Sequence, residues 1–153
     1  MRVYIGSDKG GYQLKDTLKD YIEELGHEVT DLGVFEEGSM DYPDIAREVS
    51  EKVYENEGTL GILLCGLGTG MCMVANKHKG IRGVDCTNDT QAHYARAHTN
   101  ANVLCLGESL VGIEVAKRIV EVFLDTSFDT EHEHMVKKID KVHEDQSKGY
   151  YRD

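Results

Sequence analysis

The run Cys65-Gly-Leu-Gly-Thr-Gly70 places a thiol before three glycines at alternating positions. Glycine lets the backbone turn tightly and point successive N–H groups into one hollow, which can hold a carboxylate, a phosphate or the oxyanion of an enediolate. Such N–H groups can also draw a neighbouring thiol toward the thiolate. A thiolate beside an anion-binding hollow can remove a proton from the carbon next to a carbonyl group, so this segment predicts proton transfer.

Each part of this segment also has a purely structural interpretation. Many strand-to-helix turns use glycine only for close backbone approach, and cysteine is among the residue types most often found in protein cores. A dinucleotide site fits less well, because the segment is not the first strand-to-helix turn and no matching acidic residue follows it. The other cysteines show no CxxC pairing and are interpreted as core residues, and we expect no metal site. They are Cys72, Cys86 and Cys105.

Strand-like and helix-like segments alternate along the whole chain. Apolar runs predict strands at about 2–5, 27–32, 60–65, 81–86 and 102–106, and helical spacing predicts helices at about 12–25, 43–55, 71–79, 88–97 and 111–124. This alternation predicts a single α/β domain over residues 1–153. We expect a doubly wound, Rossmann-like fold, in which helices cover both faces of a five-stranded parallel sheet.

The last helical segment, at about 131–146, is mostly charged. Its thin apolar stripe consists of Met135, Ile139 and Val142. Such a stripe is too narrow for a core helix. A helix of this kind packs on a neighbouring subunit or lies over the edge of the domain, and we expect packing on a partner subunit.

The predicted sheet indicates where a ligand would bind. In open parallel sheets, ligands bind outside the carboxyl ends of the strands. The candidate segments are therefore those that follow predicted strands, at 7–11, 65–70, 87–88 and 107–109. His98 lies near the end of the fourth predicted helix, where it is either a partner of the helix dipole or an acid/base group within reach of the strand ends.

Composition excludes several classes of protein. A chain of 153 residues with 40% hydrophobic residues can bury one core, and its net charge of −11 disfavours a nucleic-acid partner. No basic segment followed by an apolar one opens the sequence, and no apolar run approaches the ~20 residues of a membrane span. We therefore expect a cytoplasmic protein with reduced thiols that binds a small molecule and neither nucleic acid nor membrane.

Residues spread over nearly the whole chain occur in the register of a known family. They are Gly6-Ser-Asp8 with Gly11 and Lys15, Asp41-Tyr-Pro43, Cys65-Gly66 with Gly68, Gly70 and Ala75-Asn-Lys77, and then His98, Asn102-Val103, Gly107 and Gly112. In these positions the chain resembles the type B ribose-5-phosphate isomerases and the related galactose-6-phosphate isomerase subunits.

The resemblance implies an aldose–ketose isomerase that acts on a pentose or hexose phosphate through a cis-enediol. By that resemblance, Cys65 is the base, Asp8 moves hydroxyl protons, and His98 of a partner subunit helps to open the sugar ring. The expected assembly is a homodimer or a dimer of dimers, and no metal or organic cofactor is expected. The residues expected to contact the substrate are Lys9, Tyr42, Gly66, Leu67, Gly68, Thr69, Gly70, Asn100 and His132.

The departures from the family pattern concern the substrate. Lys9 stands where the family has histidine, and Leu67 stands where it has a hydroxyl residue, although Thr69 is close by. Family arginines at the phosphate end are replaced here. The replacing residues are Ser109, Glu131 and Met135. Each lost arginine removes charge-assisted hydrogen bonds worth roughly 1.5–3 kcal/mol each.

These departures leave several functions open. A sugar phosphate could be held by Lys9, His132 and His134, or the substrate could be an unphosphorylated or atypical sugar. The chain could also be a non-catalytic sugar-binding subunit, although Cys65 and His98 are both present. A redox protein is a further interpretation of the cysteines.

Overall fold

Strands and helices alternate in a computed structural model that describes residues 1–34 and 40–149. The strands are β1 (Arg2–Ser7), β2 (Glu28–Asp31), β3 (Leu60–Cys65), β4 (Gly83–Asp85) and β5 (Val103–Gly107). The helices are α1 (Tyr12–Glu24), α2 (Tyr42–Glu55), α3 (Thr69–Asn76), α4 (Asp89–Thr99), α5 (Ile113–Asp125) and α6 (Glu133–Ser147), with a 3₁₀ helix at Thr130–His132 before α6.

The strands form one parallel sheet in the order β2-β1-β3-β5-β4. Every residue of the central strand β3 is buried, as its apolar sequence predicts for a strand covered on both faces. One core layer joins the sheet to α1, α4 and α5, and a second joins it to α2 and α3. The predicted doubly wound α/β fold is confirmed.

Local signals explain where several elements begin and end. Gly26 has φ +95° just after α1, and the Asn88 side chain accepts a hydrogen bond from the Gln91 N–H to cap α4. Helix α3 begins at Thr69, earlier than predicted, because Gly68 before it has φ +82° and turns the chain into the helix. Strand β4 is shorter than predicted and covers only Gly83–Asp85.

Helix α6 attaches to the domain through few side chains. Val136 is its buried residue, and Asp140 binds Arg82 with 3.0 Å between Oδ1 and Nη1. The apolar stripe is about half exposed in the single chain, and its residues are Met135, Ile139 and Val142. Its packing on a partner stays a prediction. Among the described residues, no helix has the length and apolar character needed to cross a membrane.

A buried ion pair fixes the chain around the end of β1. The Lys15 side chain is fully buried, and its Nζ lies 2.9 Å from Asp31 Oδ1 and 2.6 Å from the Val34 carbonyl oxygen. The Val34 N–H in turn donates to the Ser7 carbonyl oxygen at 2.7 Å. These bonds fix the backbone immediately before Asp8, so the position of this candidate carboxylate is set by the core.

Candidate active site

Cys65 lies at the carboxyl end of β3, in the middle of the sheet edge where ligands are expected. It is 7% exposed, and its Sγ accepts a hydrogen bond from the Gly68 N–H at 3.1 Å. The donor is a fixed backbone group, so the sulfur lies against the positive end of a peptide dipole. The predicted thiol beside a turn of backbone amides is therefore present.

The loop after Cys65 is fixed by hydrogen bonds to the end of β5. The Glu108 N–H donates to the Cys65 carbonyl oxygen at 2.8 Å, and the Ser109 N–H donates to the Gly66 carbonyl oxygen at 2.9 Å. The loop then enters α3, whose first N–H groups lack acceptors within the helix. Amides near the thiol are thus available to an oxyanion.

The side chains of this loop point in different directions. Leu67 is 54% exposed, and its backbone lies so close to Gly107 that a Cβ on that glycine would come within 2.7 Å of it. Thr69 is exposed at the first position of α3. Tyr42, at the start of α2, places its ring against Gly70, where a Cβ would come within 2.6 Å of the ring. Tyr42 therefore borders the loop, and its predicted contact with the substrate stays a prediction.

Two carboxylates flank Cys65. The Asp8 N–H donates to the Leu64 carbonyl oxygen at 3.0 Å, so Asp8 and Glu108 follow the strands on either side of β3. A Cβ on Gly10 would lie 3.4 Å from Asp8 Oδ1 and 4.0 Å from Glu108 Oε2, so both carboxylates approach this glycine. Burial and the neighbouring Asp8 charge raise the pKa of Glu108 above its usual value.

Lys9 is exposed beside these carboxylates. It lines a cavity of about 320 Å³ together with Gly10, Tyr12, Gln13 and Glu108. An ammonium, an amide and a carboxylate around one hollow can bind hydroxyl groups or a single phosphate oxygen. Lys9 and Asp8 were predicted to be site residues, whereas Glu108 was predicted only as one of three residues in the candidate segment 107–109.

Asp85, at the end of β4, lies beside the loop, and sequence reasoning did not single it out. A Cβ on Gly68 would lie 2.6 Å from Asp85 Oδ1, and this buried oxygen has no hydrogen-bond partner among the described residues. Burial raises the pKa of the Asp85 carboxyl. Asp85 also stands opposite Cys105 in the sheet, so a carboxylate lies near the loop and the buried thiols.

The remaining predicted residues lie elsewhere in the single chain. His98 is exposed near the end of α4, and the cavity that it lines contains neither Cys65 nor Asp8. His98 instead contacts His132, with 4.3 Å between ring centroids. Asn100 follows α4 with φ +50° and lines a cavity near the amino ends of the strands.

Cys72 differs from the other two cysteines that were predicted to be core residues. Cys86 and Cys105 are buried, but Cys72 is half-buried and lines the same cavity as His98. A hydrogen bond with the Cys105 thiol lowers the pKa of Cys72. Burial raises the pKa of Cys86 to about 12. Within residues 1–34 and 40–149, no cluster of three or more His, Cys, Asp or Glu residues is placed to hold a metal ion.

Comparison with known proteins points to one family. The family model described as Ribose/Galactose Isomerase matches residues 3–142. A D-erythrulose-4-phosphate isomerase from Pectobacterium atrosepticum is 39% identical over 130 residues, which cover 84% of this chain and 86% of that protein. A galactose-6-phosphate isomerase subunit LacA from Streptococcus mutans is 37% identical, covering 84% of this chain and 89% of that protein.

A solved structure agrees with the sequence matches. The ribose-5-phosphate isomerase B of Clostridium thermocellum has a TM-score of 0.91 and 41% identity, covering 95% of this chain and 99% of that one. The match thus extends over the sheet, the loop after Cys65 and the segments that carry Asp8 and His98. The chain belongs to the Ribose/Galactose Isomerase family of sugar-phosphate isomerases and is an aldose–ketose isomerase.

Proposed function

We propose that this isomerase uses Cys65 as the base that interconverts an aldose phosphate and a ketose phosphate through a cis-enediol. The observation that carries the proposal is the 3.1 Å hydrogen bond from the Gly68 N–H to Cys65 Sγ at the carboxyl edge of the central strand. Family membership supplies the reaction class, and this bond supplies the reason for choosing Cys65 as the base.

The reaction needs a proton to move between neighbouring carbons. The Cys65 thiolate takes the proton from C2 of the open-chain aldose, and the electron pair of that C–H bond forms the enediolate while the C1 carbonyl oxygen becomes negative. Backbone amides of the Gly66–Gly70 loop stabilise this oxyanion; one such donor is worth about 10²–10³ in kcat. Asp8 transfers the hydroxyl proton between O2 and O1, and the Cys65 thiol returns its proton to C1 to give the ketose.

We propose that His98 acts in the site of a second subunit. It is exposed and shares no cavity with Cys65 in its own chain. The half-exposed apolar stripe of α6 supports an association of two copies, because burying it would remove apolar surface from water. In such a homodimer, or a dimer of dimers, His98 would open the sugar ring bound beside the partner's Cys65, and Asn100 would line that site.

The substrate class follows from the polar groups around the loop. We propose a sugar phosphate, with Lys9 available to its phosphate and with Tyr42 bordering the loop. Relatives named for substrates of four, five and six carbons support this class. The replacement of family arginines by Ser109, Glu131 and Met135 favours an unphosphorylated or atypical sugar as the second candidate.

Isotope exchange tests the assigned base. Aldose and ketose phosphates of four, five and six carbons, and the corresponding free sugars, are incubated in D₂O with the wild type and with Cys65→Ser. We expect deuterium at C2 of the product aldose with the wild type, and a loss of turnover of at least about 10²-fold in the variant. Cys72→Ser, which changes a half-buried thiol outside the loop, is the matched control. Unchanged exchange in Cys65→Ser would overturn the assignment.

A further inference from the structure

The ring of His98 contacts two other aromatic rings. Tyr94 lies at 4.9 Å between ring centroids, with 52° between the ring planes. His132 lies at 4.3 Å, with 37° between the ring planes. His98 is exposed, so contacts with these rings can restrict the rotation of its imidazole.

The two flanking rings are held by independent elements. Tyr94 precedes His98 by one turn of α4, and residues four apart on a helix are neighbours on its surface. His132 comes from the 3₁₀ helix before α6, which is attached to α4 by a hydrogen bond from the Asp129 N–H to the Ala97 carbonyl oxygen at 2.9 Å. The contact between His98 and His132 is therefore a tertiary contact, fixed by backbone.

We propose that His132 is a positioning residue that orients His98 for opening of the sugar ring. This inference rests on the proposed function, because it presumes that His98 transfers the ring-opening proton. Transfer requires a catalytic nitrogen within about 2.6–3.2 Å of the sugar oxygen, and an exposed imidazole free to rotate satisfies that requirement only part of the time. The stacked His132 ring restricts the rotation.

The surroundings of His132 argue against a main role in binding phosphate. Its Nε2 lies 3.9 Å from Asp129 Oδ2, so a carboxylate already faces the nitrogen that a phosphate would use. Glu131, the preceding residue, adds a second negative side chain nearby. A dianionic phosphate there would meet like charges. The ring surface of His132, rather than its nitrogen, is thus the part that serves His98.

Substitutions at His132 separate orientation of His98 from phosphate binding, because phenylalanine keeps a ring and loses both nitrogens. With the sugar phosphate that the wild type turns over, we expect His132→Ala to lower kcat about tenfold or more while KM changes little, and His132→Phe to restore kcat to within about threefold. His143→Gln, on the exposed surface of α6, is the matched control and should leave both parameters unchanged.

Substrate choice gives a second readout. A five-carbon aldose 5-phosphate closes into a ring through its C4 hydroxyl, but in a four-carbon aldose 4-phosphate that oxygen carries the phosphate and no such ring forms. Losses caused by His132→Ala should therefore be confined to the cyclising substrate. Melting temperatures of all variants are compared with that of the wild type, and Tyr94→Leu removes the other ring that contacts His98 as a second test.

The outcomes distinguish this inference from the function on which it rests. A raised KM in both His132 variants would show that the nitrogen binds phosphate and would overturn the positioning role, as would wild-type kinetics in His132→Ala. If His98→Asn slows the cyclising substrate but His132→Ala does not, only the inference about His132 fails. If His98→Asn has no effect on either substrate, the ring-opening role of His98 fails as well.

Discussion

The carboxylate of Asp85 lies directly against Gly68, at the turn whose N–H binds the sulfur of the proposed base. A Cβ on Gly68 would lie 2.6 Å from Asp85 Oδ1, and the glycine has φ +82°. The loop therefore depends on glycine for two reasons, which are a left-handed backbone and the absence of a side chain. Both conditions act on the segment that follows Cys65.

Substitution of Gly68 by alanine should impair both stability and turnover. The left-handed backbone alone costs roughly 1–2 kcal/mol with a Cβ, and the contact with Asp85 adds to this cost. We expect Gly68→Ala to lower the free energy of unfolding, measured in urea, by more than that amount. We also expect kcat to fall at least tenfold, because the N–H that binds Cys65 Sγ is displaced.

Gly58 offers a matched control for the cost of the left-handed backbone. It has the same φ of +82°, and no atom lies within 4 Å of the position that its Cβ would occupy. The free energy of unfolding of Gly58→Ala should therefore fall only by the cost of a Cβ in the left-handed conformation, and its kinetics should match those of the wild type. Equal losses of stability in the two variants would show that Asp85 does not restrict the loop.

Stability at low pH should depend on Asp31. Although burial acts to raise it, hydrogen bonds from Lys15 and from the Gly33 N–H outweigh burial and lower the pKa of the Asp31 carboxyl. A carboxyl with a lowered pKa in the folded state stabilises the protein above its unfolded pKa, and this stabilisation disappears as the pH falls through the folded value. The relevant window lies below about pH 4.

We expect Asp31→Asn to lower the free energy of unfolding at pH 7 by about 3–5 kcal/mol, because the fully buried Lys15 loses its carboxylate. The difference from wild type should shrink as the pH falls below about 4 in a series of denaturant titrations. Glu51→Gln, which breaks the exposed pair with Arg47, is the control and should cost about 0.5 kcal/mol or less. A difference that persists undiminished to pH 2 would contradict the role of this pair.

The sequence predicted the elements whose signals are local. Strand β3 was placed at its observed residues because a short apolar run between polar segments fits a strand buried on both faces. The turn after Cys65 was visible because its glycines have a backbone role. Asp85 was missed because β4 is short and half-buried, and nothing in its sequence shows that it packs against Gly68.

Contacts between residues far apart in the chain could not be predicted from the sequence, for a physical reason. The approach of Glu108 to Asp8 depends on β5 and β1 both neighbouring β3, and strand order cannot be deduced from the pattern of a single strand. The stacking of His98 on His132 depends on how the 3₁₀ helix docks on α4. Family resemblance predicted roles for Asp8, His98 and His132 but not their contacts, and it predicted no role for Glu108.

Glu108 should titrate differently when Asp8 loses its charge. Burial and the Asp8 carboxylate raise the pKa of Glu108, so Asp8→Asn should lower it toward the usual value while burial keeps part of the elevation. Carbon-detected NMR titration of glutamate carboxyl groups measures this change directly. No change in the Glu108 titration would show that the two carboxylates do not interact.

The raised pKa of Glu108 also predicts a stabilising substitution. A carboxyl whose pKa is raised on folding is disfavoured in its charged form, so the folded state loses stability as the pH rises through the folded pKa. Glu108→Gln should therefore raise the free energy of unfolding at pH 7 and have little effect at a pH where Glu108 is protonated. Glu57→Gln, at an exposed position, should stay within about 0.5 kcal/mol of wild type at both pH values.

Cys72 should be alkylated faster than Cys86 or Cys105. A hydrogen bond from the Cys105 thiol lowers its pKa, and Asn76 Nδ2 lies 3.5 Å from its Sγ. The pKa of Cys86 is raised by burial, and that of Cys105 is raised by its hydrogen bond to Cys72 and by burial. Because the thiolate is the nucleophile, iodoacetamide at pH 7.5 to 8 (~1 unit below an ordinary thiol pKa) should label Cys72 before Cys86 and Cys105, as followed by peptide mass spectrometry.

Removing the hydrogen-bond donor should slow that labelling. In Cys105→Ala the Cys72 sulfur keeps its exposure but loses the thiol that stabilises its negative charge, so its pKa should rise and its rate of labelling at about pH 7.5 should fall. Cys86→Ala is the matched control, because it removes a buried thiol that donates no hydrogen bond to Cys72. If Cys105→Ala and Cys86→Ala label Cys72 at the same rate, exposure alone determines the reactivity of Cys72.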